Sequence, residues 1–492
     1  MTLSRAPANR LKPIIAPLAL ALLASACAVG PDYQRPALKL TAAYQGAPPA
    51  ASAPATPAAI ETWWESFNDP MLVRVVERAS AQNLDLEQAR ARILQSRAVA
   101  RAAGAALLPR LDAAGEATRS SQSLLNPLGE ITSHVGVPRD ADEATLGLAA
   151  SWEIDLFGGL RRQRDAANAE AKAVEAQAVA VRISVAGDAA DAYLQARAYQ
   201  GRLDVARRQE QIQQDLVALL TRRTGEGVSP ERELHQAQAL LEGVRATIPP
   251  LQAGLDAEFN RLDVLMGALP GTYRAELLAP AALPATPSLS IAEGPADLLR
   301  RRPDVLAAEQ RLIAANAGIG AAISDYYPKI SISALLGVDS LDASRLFASQ
   351  ALEHQIGGGL RWRLFDFGRV DAEVAQAKGR KAEALAAYRA SVFKAAEDVE
   401  DAVSDLRQQQ ARADALTQEI GQLSLARSQA QQAYEGGVIS LVEVRDADRD
   451  LLTASDQLVQ AKAGAARAAV AAYRALGGGW KPETALHIAA AS

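Results

Sequence analysis

The chain has one cysteine, four histidines and three methionines in 492 residues, and only 4% of it is aromatic. A single cysteine excludes a disulfide within the chain. His134, His235, His354 and His487 are too scattered to converge on a transition metal, so neither a metal nor a cofactor is expected. There is no G-x-S-x-G elbow and no phosphate loop, and Gly318-Ile-Gly320 lacks the third glycine of a dinucleotide fingerprint. No constellation of residues supports catalysis, and the chain is not expected to be an enzyme. A formal charge of -5 gives no basic surface for nucleic acid. Beyond the N-terminus no run of about 18 or more apolar residues occurs, which excludes a second helical membrane span. Any deeper membrane insertion must use strands.

What is present begins with a secretory signal over residues 1–26: basic Arg5, Arg10 and Lys12, an apolar run from Ile14 to Leu23, and small residues Ala24-Ser25-Ala26. Cys27 follows at once, as in a bacterial lipobox, where cleavage leaves the cysteine as a lipid-modified N-terminus. Ala28 after it, rather than Asp, resembles the pattern that sorts lipoproteins to the outer membrane. Residues 27–62 are rich in Ala and Pro and read as a lipid-anchored extended arm.

The rest of the chain states one structural sentence twice. Leu-Pro-Arg-Leu around Pro109 returns as Tyr-Pro-Lys-Ile around Pro328, and Ser-Trp-Glu-Ile-Asp-Leu-Phe-Gly around Trp152 returns as Arg-Trp-Arg-Leu-Phe-Asp-Phe-Gly around Trp362. Each copy then runs into an Ala-rich helical stretch broken by a glycine turn, at Gly225-Glu-Gly227 and at Gly436-Gly437. Such a tandem duplication decides the architecture. Pro109 to Trp152 spans 43 positions and Pro328 to Trp362 only 34, so the first copy carries nine extra residues in a strand-joining loop. The expected bounds are 63–278 for the first repeat, 279–290 for a linker, 291–480 for the second repeat and 481–492 for a tail.

Asp69-Pro70-Met71 opens a helix that should continue toward Ala106, and Arg302-Pro303-Asp304 opens its counterpart. Period-2 segments follow, over about 108–120, 143–154, 328–338 and 354–364. In the last, Ile356, Gly358, Leu360, Trp362 and Leu364 share one face against Arg361 and Arg363 on the other. A soluble sandwich would bury the apolar face in a core; a membrane barrel would turn it to lipid, and the outer-membrane signal favours the barrel. Four strands cannot close a barrel, and lipid tolerates no open edge, so three copies closing a sheet of about twelve strands are expected. Helical hairpins should follow over 159–266 and 368–476. Val181, Val185, Ala189, Ala192, Ala196, Tyr199, Leu203 and Ala206 form a coiled-coil seam in the first. The fold class is thus mainly α with a transmembrane β-barrel: a duplicated strand pair plus long helical hairpin, in a trimer that forms a twelve-stranded barrel and a helical tunnel.

The candidate functional residues lie at the glycine turns. Glu443 and Asp446 stand three apart on one helix face. They are either ordinary acids at a helix start or, under threefold symmetry, rings of charge that favour cations at a constriction.

Several motifs resemble one family, the TolC-type outer-membrane factors, and within it the NodT/OprM-like lipoproteins of resistance-nodulation-division efflux pumps. These are Cys27-Ala-Val-Gly30-Pro31-Asp32-Tyr33, Arg301-Arg-Pro303-Asp304 with Ala307-Ala-Glu309-Gln310-Arg311-Leu312, and Ala475-Leu-Gly477-Gly-Gly-Trp480. The resemblance implies a homotrimer in the cell outer membrane with a large periplasmic part, which passes substrate unchanged and works with a periplasmic adaptor and an inner-membrane transporter. It implies that Glu443 and Asp446 are aperture acids, Val442 a neighbouring apolar constriction, and Tyr434 with Glu233 part of a closed-state latch. A latch arginine of the family is Ile439 here. The turn residues Gly225, Gly227, Ser229, Gly436, Gly437 and Ser440 would contact adaptor tips. A lipid-anchored adaptor, or a coiled-coil scaffold without a pore, remains the alternative, distinguished by having no conductance.

Overall fold

A computed structural model describes residues 28–38, 60–136, 138–279, 281–289 and 301–480. The signal segment, Cys27, residues 39–59 of the arm and the tail 481–492 lie outside the described residues. The elements in order are helices α1 (Pro70–Gln82) and α2 (Leu84–Ala105), strand β1 (Arg110–Ser121), α3 (Pro127–His134), β2 (Asp140–Ile154), α4 (Gly159–Gly225), α5 (Glu231–Leu265), α6 (Arg274–Leu277), α7 (Pro303–Ile323), β3 (Lys329–Ser340), β4 (Leu352–Arg361), α8 (Arg369–Glu435) and α9 (Leu441–Ala475). They fall into two compact units.

The first unit holds the strands, with residues 28–36, Leu94–Lys172 and Glu309–Ala387. Its sheet is a four-stranded antiparallel meander in the order β1-β2-β3-β4. Register puts Leu148 opposite Leu336, Trp152 opposite Ile332 and Leu360 opposite Ile330. Directly paired residues share a face, so Leu111, Leu146, Leu148, Trp152, Ile332, Leu336, Ile356 and Leu360 line one side of the sheet, all of them exposed, Ile356 to 82%. The other side carries Asp112, Glu116, Thr145, Ser151, Glu153, Ser331, Ser333 and Gln355. A sheet that shows its apolar side outward has the polarity of a membrane barrel, not of a soluble sandwich. Strands of 10 to 15 residues are long enough for the roughly 9–11 that span a hydrocarbon core, and β1, β2 and β3 run beyond it. Beyond that core, on the β1–β2 hairpin, Arg119 pairs with Asp142 at 2.8 Å.

At the opposite end of the sheet the duplication is visible in single bonds. The Trp152 indole donates to the Leu107 carbonyl at 2.9 Å, and the Trp362 indole donates to the Tyr326 carbonyl at 2.9 Å. Each acceptor stands two residues before the proline that precedes its strand. An indole that keeps its ring apolar and its N–H satisfied suits the border between lipid and water.

The second unit holds the hairpins. Its core gathers Trp63, Phe67, Leu72, Tyr193, Phe259, Met266 and Tyr473, with the Trp63 and Tyr473 rings stacked 5.5 Å apart. The seam residues Val185, Ala189, Ala192, Ala196, Leu203 and Ala206 are buried, while Val181 and Tyr199 pack against them partly exposed. Helices α4 and α8 each run 67 residues, about 100 Å at 1.5 Å per residue. Alanine makes this possible, because it favours helix and lets neighbours approach closely.

One expectation needs correction. The first helix does not run unbroken toward Ala106: it breaks at Asn83, which has extended backbone (φ -65°, ψ 131°). The Asn83 side chain accepts from the Asp85 and Leu86 N–H groups at 2.9 and 3.3 Å, donates to the Leu265 carbonyl, and so starts a second helix. Local capping by a short amide outcompetes helix continuation. The start at Asp69 is also a cap, accepting from the Met71 and Leu72 N–H groups. The Tyr193 hydroxyl donates to the same Asp69 carboxylate at 2.7 Å, and burial together with that bond raises its pKa.

Repeats are joined across α4, α5 and α9 by a charge cluster: Asp191 receives Arg467 at 2.6 Å and Arg261 at 3.5 Å, with Glu258 3.7 Å from Arg261. Burial, and to a lesser degree Asp191, raises the Glu258 pKa, whereas Arg261 pulls it down. A raised folded-state pKa means that the stability linked to protonated Glu258 is present below the unfolded value of about 4.3 and is lost as pH rises through the folded value. Glu258→Gln, which cannot ionise, should therefore raise the thermal unfolding midpoint at pH 8 and leave it nearly unchanged at pH 4. A midpoint difference that is flat with pH would contradict this.

Candidate functional site

Both hairpins of the second unit reverse by the same backbone device. In the first, the Gly227 N–H donates to the Thr224 carbonyl at 2.9 Å and the Val228 N–H to the Arg223 carbonyl at 2.8 Å. In the second, Gly437 donates to Tyr434 at 2.9 Å and Val438 to Ala433 at 2.9 Å. These paired bonds end a helix only if one residue turns left-handed, and Gly227 (φ +73°) and Gly437 (φ +74°) are those residues. The valine after each glycine is left in the open, Val228 at 61% and Val438 at 80% exposure. Gly225, Gly436 and Ser440 are exposed, but Ser229 is buried.

The return helix of the second hairpin starts with a capping box. Ser440 is the N-cap, and its N–H donates to the Glu443 carboxylate at 3.5 Å. Asp446, one turn on, takes Arg445 at 3.3 Å and Arg449 at 3.5 Å. Within one chain, both acids thus have partners of their own, and the bland reading of a helix start is part of what they do. Their carboxylates are nonetheless partly solvated, and Val442 beside them is 41% exposed. Leu441 turns the other way, into a small apolar cluster with Leu220 and Ala237, against which Leu234 and Tyr434 pack.

No hydrogen bond joins Tyr434 to Glu233. The Tyr434 hydroxyl accepts from Arg223 at 3.4 Å, and the guanidinium also lies 5.8 Å from the centre of its ring. Among the described residues the Glu233 side chain makes no hydrogen bond or ion pair; its backbone N–H donates to the Pro230 carbonyl. Cys27 lies outside the described residues.

Two participants escaped the sequence reading, Arg223 and the pair Arg427–Asp448. Arg427 meets Asp448 at 2.8 Å, with only 5% of the Asp448 side chain exposed. They stand at equal distances in sequence on either side of the Gly437–Val438 turn, which places them opposite each other across the hairpin. That symmetry was the available signal. The repeat-equivalent positions, Val217 and Gln238, cannot form an ion pair; the first hairpin is crossed at another level, by Arg245 on Glu210 at 3.0 Å. The arrangement offers no nucleophile or acid–base pair. It can present charge, and it can hold or release a helical hairpin.

Comparison with known proteins follows the same duplication. The outer membrane efflux protein family matches residues 75–268 and again residues 294–478. The chain is 32% identical to the pyoverdine export outer membrane protein OpmQ of Pseudomonas putida over 95% of its length and 97% of that protein. It is 31% identical to the toluene efflux pump outer membrane protein TtgI of Pseudomonas putida, over 94% of this chain and 98% of the relative. Among solved structures it is similar to the outer-membrane channel OprN, with a TM-score of 0.82 at 33% identity, covering 92% of this chain and all of that one. It is also similar to the open state of the Neisseria gonorrhoeae MtrE outer membrane channel, with a TM-score of 0.79 at 25% identity, covering 93% and 99% of the two chains. The chain therefore belongs to the outer membrane efflux protein family and is an efflux channel of the outer membrane.

Proposed function

We propose that three copies of this chain close one twelve-stranded barrel and form the passive outer duct of a tripartite assembly, taking cargo from a periplasmic adaptor and an inner-membrane resistance-nodulation-division transporter. The observation that carries this reading is the sheet. Its one face is apolar and exposed, and among the described residues the outer edges of β1 and β4 pair with no strand. Backbone groups left unpaired in hydrocarbon cost several kcal/mol each, so the edges must meet those of other copies. A lipid-anchored adaptor or a scaffold without a pore has no use for such a sheet.

In this reading Cys27 carries the acyl anchor, and the loops joining β1 to β2 and β3 to β4 face outward from the cell. The hairpin tips meet the adaptor, supported by the exposed Val228 and Val438 beside Gly227 and Gly437. Threefold symmetry gathers Glu443 and Asp446 into acid rings with Val442 as a neighbouring apolar constriction, while Tyr434 bonds Arg223 and so links the two hairpins of one copy. Relatives of similar identity are named for pyoverdine export and for toluene efflux, chemically unlike cargoes, which suits a duct that selects little.

Purified protein in planar bilayers should show discrete single-channel currents; a preparation that never conducts would count against the duct. Replacing Glu443 by Gln and Asp446 by Asn keeps the capping geometry while removing up to six negative charges per trimer. The reversal potential in a salt gradient should then shift toward lower cation selectivity. Unchanged ion selectivity would remove both acids from the aperture.

A further inference from the structure

The segment Ala28–Arg35 is seated in the first unit by contacts that come from both repeats. From the first repeat, the Phe157 carbonyl accepts the Val29 N–H at 3.1 Å. Arg162, at the start of α4, donates to the carbonyls of Val29 and Gly30 at 3.2 and 3.4 Å, and its guanidinium holds Asp32 at 2.9 Å. From the second repeat, Asn316 on α7 donates to the Pro31 carbonyl at 2.9 Å. Glu309, two turns earlier on the same helix, accepts the Tyr33 hydroxyl at 3.1 Å and pairs with the Arg35 guanidinium. The receptors are buried: Asn316 is 2% exposed and the Glu309 side chain 8%.

The backbone fits as closely as the polar groups. Gly30 adopts φ +96° against Gly320 of α7, where a side chain at position 30 would collide with the Gly320 backbone. A Cβ at Gly320 would in turn lie 2.8 Å from the Val29 carbonyl oxygen. Glu309, Asn316 and Gly320 stand at spacings of seven and four, a single helical stripe facing the segment. Buried carboxylates and amides retained without a partner are costly, so this stripe exists to be covered.

We propose that residues 28–35 are an intramolecular clasp that locks the first repeat to the second where strands give way to helices, so that seating the clasp adds to the stability of the strand unit. The duplication explains the need. Each repeat supplies its own strand pair, and apart from the clasp the junction is carried by the β2–β3 ladder, the stacked Phe157 and Tyr327 rings at 4.6 Å and the Arg311–Glu170 pair at 3.8 Å. The offset that relates Pro109 to Pro328 relates Glu309, Asn316 and Gly320 to Arg90, Arg97 and Arg101, so the first repeat has no second seat of this kind.

Gly320→Ala and Gly318→Ala separate the clasp from the helix that receives it. Alanine is the better helix former at both positions, and nothing lies within 4 Å of a Cβ at Gly318. In the purified full-length protein, Gly320→Ala should unseat the clasp, so that chymotrypsin cuts after Tyr33 at least about tenfold faster than in the parent, the equivalent of losing one or two of these bonds. The temperature at which the SDS-resistant oligomer dissociates should fall by several degrees. Gly318→Ala should change neither, and Glu309→Gln, which keeps the shape of the seat, should move both in the same direction as Gly320→Ala but less far. Cleavage at the parental rate in Gly320→Ala would overturn the clasp. So would fast cleavage with an unchanged dissociation temperature, since the segment would then be seated without holding anything. The cleavage readout does not depend on the proposed trimer, so failure of one is distinguishable from failure of the other.

Discussion

Everything in this molecule depends on how the backbone of four strands is satisfied in a medium that offers no hydrogen bonds. The β1–β2, β2–β3 and β3–β4 ladders satisfy the inner edges, and the outward side chains are apolar along their whole middle. What one chain cannot do is pair the outer edges of β1 and β4. Closure with other copies follows from that single deficit, and three copies are the number in the channel family to which the chain belongs. The long, alanine-rich helices are the form of wall that such packing allows.

The duplication gives the wall its regularity, and the copies differ where the proposed gate lies. Trp152 and Trp362 make the same bond to the same kind of carbonyl, and Gly227 and Gly437 make the same turn within one degree of φ. Near the tips the copies diverge. The second hairpin is crossed by Arg427–Asp448 and carries Glu443 and Asp446, whereas the first has Val217, Gln238, Glu233 and Gln236 in the same places. In the proposed reading, a hairpin held by an internal ion pair whose carboxylate is buried can shift as a body, as a gate element must.

Much of this was legible in the amino-acid order, for a physical reason. Period-2 and period-3.6 patterns report which face of an element is apolar, and duplicated landmarks such as Pro109 and Pro328 set the register between copies. The helix break at Asn83 was not legible, because an asparagine inside a helical pattern looks the same whether it caps a new helix or merely interrupts an old one. The partner of Tyr434 was missed because Arg223 lies 211 positions away, and no local pattern reports a contact between two hairpins. The seats for residues 28–35 were opaque for the same reason: Arg35 and Glu309 are 274 positions apart. Sequence spacing speaks for elements, and only folding speaks for what long-range pairs they create.

The central claim is that this sheet is a third of a barrel. The mass of the intact, detergent-solubilised protein measured under native conditions tests it most directly. A species of three chains, resistant to dilution, is the predicted result; a stable monomer that still conducts ions would contradict the account, because the open edges of β1 and β4 would then be tolerated in lipid, and a stable dimer would contradict it by making the sheet half of an eight-stranded barrel.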